Sequence, residues 1–217
     1  MPFVNKISRF IIFITLFLLT SCVDILNVVN INSDKSGTAF VGIQVNAISS
    51  LINLSGEDLQ DEIKNSVVSF PSQAAADLST ISGIHNIKTY TTLALGKIGV
   101  EFEFDNPRAL NKAYYKLLGK EKKFYYPKLI SITRNKVKVK NITPYINYYF
   151  NNNESMLTKS DLLKYLKYTT LIKVPRNIKE GSFQHGNLSN NKKELRYSIP
   201  MKRIIDESAS TSNELKY

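Results

Sequence analysis

Apolar and polar positions alternate with period two over some stretches of the chain and with helical spacing over others. The clearest strand is Ile98 to Asp105: Ile98, Val100, Phe102 and Phe104 point one way, and Gly99, Glu101 and Glu103 the other. One face is then buried and one wet, as in an antiparallel sheet covered on one side. Two β-rich runs open the chain proper, Cys22 to Asn32 and Thr38 to Val45. The polar stretch Asn32-Ser33-Asp34-Lys35-Ser36-Gly37 joins them as a turn, so the pair reads as a hairpin. Ile84 to Leu93 is a further strand, with Leu93 to Lys97 turning into Ile98. Phe124–Thr133 and Lys136–Lys140 read as two short strands, the second with an edge-like pattern of lysines alternating with Val137 and Val139. Thr169 to Val174 and Leu195 to Ile199 complete the set, separated by a polar loop over Gly181–Asn191.

Helical spacing covers Ala47 to Phe70, with Leu59, Ile63, Val67 and Val68 on one face and Pro71 limiting the element. Gln73 to Ile81 predicts a second short helix. Asn106-Pro107 opens a helix to about Leu118, with proline at a permitted first-turn position, Leu110, Tyr114 and Leu117 on one side, and Gly119 ending it. Ile142 to Phe150 is rich in aromatics and is broken by Asn151-Asn152-Asn153. Ser160 caps a helix to about Tyr168, with Leu162, Leu163 and Leu166 as its apolar face. Hairpins alternating with helices predict an α+β fold: an antiparallel sheet built from hairpins, with helices packed mainly on one face. The expected organisation is a signal segment over 1–21, one domain over 22–205 and a disordered polar tail over 206–217.

The first residues change the picture. Lys6 and Arg9 precede an apolar centre from Phe10 to Leu19, which is shorter than the roughly 20 residues of a spanning helix. Leu19-Thr20-Ser21-Cys22 follows, and Cys22 is the only cysteine. This resembles the lipobox of bacterial lipoprotein signal peptides. It implies cleavage between Ser21 and Cys22 and a Cys22 that carries diacylglycerol through a thioether, with a further acyl chain such as palmitate on its freed amine. Each buried methylene contributes about 0.8 kcal/mol and one chain binds only marginally, so two or three chains are needed for a stable anchor. The expected location is the cell envelope, and the outer membrane in a host that has one.

Charge is split along the chain. Residues 24–105 hold ten acids and four bases, whereas residues 106–217 hold 23 bases and eight acids. Lys116, Lys120, Lys122, Lys123, Lys128, Arg134, Lys136, Lys138 and Lys140 crowd one stretch whose single acid is Glu121. Such a surface suits nucleic acid or anionic lipid, and an exported lipoprotein excludes the first. These nine residues are the candidate contacts to a membrane surface or an anionic envelope ligand. Aromatics interleave with them in Tyr114-Tyr115-Lys116 and Lys122-Lys123-Phe124-Tyr125-Tyr126, as at membrane–water interfaces. A solvated lysine surface over an aromatic core gives the same pattern.

Chemistry is sparse. His85 and His185 stand a hundred residues apart, with no metal-binding spacing, so neither metal nor cofactor is expected. There is no Gly-x-Ser-x-Gly elbow. Glu101 and Glu103 share one strand face and could form an acid pair, or simply line the wet side of a sheet.

In element order the mature chain resembles the LppM-like domain of bacterial envelope lipoproteins over roughly 22–205. The resemblance rests on the strand entering straight from Cys22, the Asp34-Lys35-Ser36-Gly37 turn, Lys173-Val174-Pro175-Arg176-Asn177 and the late Leu195–Ile199 strand. Such proteins often carry tryptophan where Tyr197 stands, and some end in a transmembrane helix that this chain lacks. The resemblance implies a non-enzymatic, lipid-binding module. The expectation is a membrane-anchored binding module whose sheet and helices enclose an apolar groove for lipid or another hydrophobic ligand, with the basic region facing anionic groups. Two alternatives remain: an assembly lipoprotein docking an acidic protein partner, and a hydrolase built around a histidine, a serine and a carboxylate.

Overall fold

The computed structural model describes residues 23–45, 69–91, 97–152, 166–206 and 208–217. Ser21, Cys22, the Leu93–Lys97 turn before Lys97, and the Ser160 cap lie outside them, as does the Ala47–Phe70 helix before Ser69. The fold is mixed α+β with a mainly antiparallel sheet. β1 (Val23–Ile31) and β2 (Gly37–Val45) form the expected hairpin, paired from Val23–Val45 to Ile31–Gly37. β3 (Ile84–Tyr90) and β4 (Lys97–Phe104) form the next pair, and β4 lies against β2. β7 (Leu166–Lys173), β8 (Asn187–Leu188) and β9 (Glu194–Pro200) complete a seven-stranded sheet in the order β3-β4-β2-β1-β7-β9-β8.

β1 is therefore the central strand. It runs parallel to β7, from Val23–Leu166 to Asn30–Lys173, so the sheet is not wholly antiparallel. This also overturns the helix drawn through Leu166 and Tyr168, because both are strand residues here. Tyr168 and Ile172 reach the core by alternation rather than by helical spacing.

One helix spans 69–79 (α1) and buries Ala74 and Leu78, four residues apart. Pro71 does not limit the element: residues on both sides of it, from 69 to 79, are helical. α2 (Pro107–Leu117) starts as expected. The Asn106 carboxamide oxygen accepts from the N–H groups of Arg108 and Ala109, both at 3.0 Å. It ends at Gly119, whose φ of 68° is left-handed; Gly119 N–H donates to Lys116 O and Lys120 N–H to Tyr115 O. α3 (Thr143–Asn152) extends through Asn151 and Asn152, which do not break it. α4 (Met201–Ile205) follows β9 directly.

A small second sheet contains β5 (Ile130–Ile132), β6 (Lys136–Val139) and β10 (Asn213–Lys216), in the order β10-β6-β5. Three expectations fail here. The strand drawn over Phe124–Thr133 shrinks to Ile130–Ile132, with a turn at 124–126. The lysine-bearing β6 is central rather than an edge, because the tail pairs beside it. The tail expected to be disordered is instead placed over 208–217, where it supplies β10. Leu215 and Tyr217 alternate into the core, at 1% and 6% exposure, while Glu214 faces Lys136 and Lys138 at 3.4 and 3.8 Å.

The main core lies between the large sheet and the helices. Val29, Val100, Phe102, Leu110 and Leu195 are fully buried within one cluster that also takes in Ile130, Val137 and Leu215. Asn111 fastens α2 to β5: its amide donates to Pro107 O and Ile130 O, and its oxygen accepts from Leu129 and Ile130 N–H. On the opposite sheet face, Gly42 and Gly99 are cross-strand neighbours under the Phe40 ring. A Cβ at Gly42 would stand 2.2 Å from Ile98 O, so the strands approach too closely for any side chain there.

Candidate functional site

The nine basic candidates fall into three places rather than one. Lys116 sits on α2 and reaches Asp77 of α1 at 3.8 Å. Arg134, Lys136, Lys138 and Lys140 belong to the small sheet, where Glu214 neutralises two of them and Arg176 donates to Arg134 O. Lys120, Lys122, Lys123 and Lys128 stand on the loop between α2 and β5. That loop also carries the most exposed large apolar side chains among the described residues: Phe124 at 96%, Tyr125 at 61% and Leu118 at 44% exposure.

The loop is built, not loose. The Schellman-type end of α2 at Gly119 sets its exit direction. Tyr115, 1% exposed, donates its hydroxyl to Pro127 O at 2.9 Å and so joins the two ends of the loop. Its ring packs on Tyr126 at 5.2 Å, Tyr126 on Tyr125 at 5.0 Å, and Tyr125 on Phe124 at 5.2 Å. Lys122 folds inward, donating to Lys123 O and Tyr126 O with its ammonium 5.4 Å from the Tyr115 ring centre. Lys123 lies over Tyr125 and Lys120 over Tyr145, each at 5.9 Å. The run Lys122 to Tyr126 carries the interfacial signal in sequence; its aromatic composition, however, reads as a strand and hides the exposure of Phe124.

A second place gathers acids. A β-bulge in β3 between His85 and Lys88, with Asn86 at φ 50°, aims His85 and Asn86 at the same carboxylate. His85 Nε2 stands 3.2 Å and Asn86 Nδ2 3.0 Å from Glu103, and His85 Nδ1 stands 3.5 Å from Asp105. His85, Glu103 and Asp105, with Asp34, Ser36 and Thr38, line a concavity of about 380 Å³. Asp34 accepts from the Ser36 hydroxyl at 2.7 Å and from Ser36 N–H at 3.0 Å, and these bonds hold its carboxyl below the usual carboxylate range. The Ser36 proton is therefore directed at Asp34. Glu101 does not pair with Glu103; it faces Lys88, Lys97 and the Tyr90 hydroxyl. His185 is exposed, and its carbonyl accepts from Asn213. Among the described residues no cluster has the arrangement of a metal site.

A smaller concavity of about 180 Å³ lies between Asn141, Thr143, Pro144 and the 208–210 segment. Both concavities are walled mainly by polar side chains, so neither is the apolar groove expected between sheet and helices. Among the described residues no helix is long and apolar enough to cross a membrane.

No family model matches the chain, and no curated protein matches it. Among solved structures it is similar to the folded domain of LppM from Mycobacterium tuberculosis, determined by NMR. The identity is 8% and the TM-score 0.40, over 91% of this chain and 90% of that one.

Proposed function

We propose that this chain is a lipid-anchored envelope lipoprotein whose domain is a non-enzymatic module binding anionic groups at the membrane surface. One observation carries the reading: β1, the central strand of the large sheet, starts at Val23, the residue after Cys22. A lipid on Cys22 would have no tether. It would hold the Val23 end of the sheet at the bilayer, with Val45, Leu166 and Pro200 at that same end. The His85 concavity belongs to the other end, roughly 27 Å away along nine residues of strand.

The non-enzymatic part is supported by how the candidate groups are used. The Ser36 hydroxyl serves Asp34, both His85 nitrogens face carboxylates, and Glu101 and Glu103 hold separate partners. Metabolic labelling with an alkyne palmitate tests the anchor. The wild-type chain is expected to take label and fractionate with membranes, and Cys22→Ser to lose both. Equal labelling of the two would overturn the reading.

A further inference from the structure

We propose that the 118–128 loop is a second membrane contact: an aromatic–basic knob that seats Phe124 and Tyr125 in the headgroup region of an anionic bilayer. The contact presupposes the lipoprotein reading only in that the anchor supplies the nearby bilayer. Phe124 is 96% exposed, yet it is not on a free strand of chain. It is the outermost of four rings packed in series from the buried Tyr115, the outer two contacts edge-to-face, so the core itself holds it out into solvent. An exposed ring that is rigidly supported loses little freedom on docking.

The chemistry around the ring selects the occupant. Lys120, Lys123 and Lys128 are exposed on the same loop, and Glu121 is the loop's single acid. Amphipathic rings with lysine stems at their edge are the composition of a membrane–water interface, where the ring enters and the ammonium groups meet phosphate. Charge complementarity therefore favours anionic lipid.

The fold also carries this loop toward the anchored end. α2 starts beside Phe104, at the end of the sheet remote from Val23, and its Tyr114 already reaches Asn27 in mid-β1. Its last turn and the loop lie further along that path. Lys120 then meets Tyr145 of α3, and Asn147 of α3 donates to Ile205 O of α4. α4 follows Pro200, which pairs with Lys167 beside Asp24. Anchor and knob would thus touch one surface at two points, fixing the domain's tilt as well as its distance.

Phe124→Cys tests this in the full-length chain, because a lipidated Cys22 leaves the new thiol as the single labelling site. The lipidated chain, labelled at 124 with an environment-sensitive fluorophore, is returned to vesicles of phosphatidylglycerol and phosphatidylcholine. The expected result is a blue-shifted emission, quenched several-fold more by headgroup-proximal spin-labelled lipid than the same label at Asn190→Cys. Lys123→Glu with Lys128→Glu should remove the dependence on phosphatidylglycerol while leaving the far-ultraviolet spectrum unchanged. Emission at 124 as water-like as at 190 overturns the proposal, and so does a shift that needs an added protein instead of lipid. The anchor is read separately. A Cys22→Ser chain that still shifts on added vesicles keeps the loop contact even if palmitate labelling fails; a palmitate-labelled chain whose 124 label stays in water loses the loop contact alone.

Discussion

The Tyr114 hydroxyl donates to the Asn27 side-chain oxygen at 2.9 Å, joining α2 to the middle of the central strand across 87 residues of sequence. This bond places a phenol beside Tyr168 and Tyr197, and burial raises all three phenols above their ordinary value.

Alkali should therefore unfold the protein. An unfolded tyrosine ionises near pH 10, whereas burial shifts the ionisation of these three to higher pH in the fold. Their stabilisation is complete below about pH 10. Above it the unfolded chain releases protons that the fold retains, and each group removes about 1.4 kcal/mol per pH unit. Absorbance at 295 nm should show a fraction of the 12 tyrosines ionising only together with loss of the near-ultraviolet circular dichroism. A single smooth titration of every tyrosine with the fold intact would contradict this.

Asn111 is 3% exposed, with both ends of its amide bonded. Asn111→Leu leaves two N–H groups and two carbonyls near β5 and the start of α2 without their partner. A loss of about 3 kcal/mol is expected, since each stranded buried group costs about 1–3 kcal/mol and some find water. Urea unfolding midpoints measure it. A change within experimental error would mean that the α2–β5 junction is wet.

Local signals and long-range ones had different fates. β1, β2, β4 and β9 are legible because alternation needs only neighbours in sequence, and α2 because Asn106-Pro107 and Gly119 mark its ends. The β1–β7 pairing is not legible: Val23 and Leu166 meet through contacts no local pattern encodes. Nor is the central position of β6, since its lysines read as edge protection until Glu214 arrives from the tail to neutralise them. The lysines of the candidate surface are equally visible in sequence, but their division among α2, the 118–128 loop and the small sheet is a property of the fold. The acids around His85 come from two separate segments, the 32–37 turn and the end of β4, and carry no shared signal.

His85 should be a minor contributor to stability. It is half exposed and pairs with Glu103 and Asp105 at the surface, where such pairs contribute about 0.2–1 kcal/mol. His85→Gln is expected to shift the unfolding midpoint only slightly and to leave membrane association unchanged. A large loss of membrane association in this variant would move the functional site to the opposite end of the sheet.

The tail provides the strictest test of the fold. Leu215 is 1% exposed and belongs to the same core cluster as Val137 and Ile130, while Tyr217 donates to Thr133 O at 3.0 Å. Tyr197 of the large sheet reaches the same segment through Thr211 O at 3.2 Å, so the tail ties the two sheets together. Leu215→Ala should cost about 3 kcal/mol, within the range for a large-to-small change in a packed core. Glu214→Gln, which breaks only the surface pairs to Lys136 and Lys138, should cost under about 1 kcal/mol. The contrast separates a packed strand from a tail held by charge. If the two variants lose stability equally, or if Leu215→Ala loses none, β10 is not part of the cooperative core.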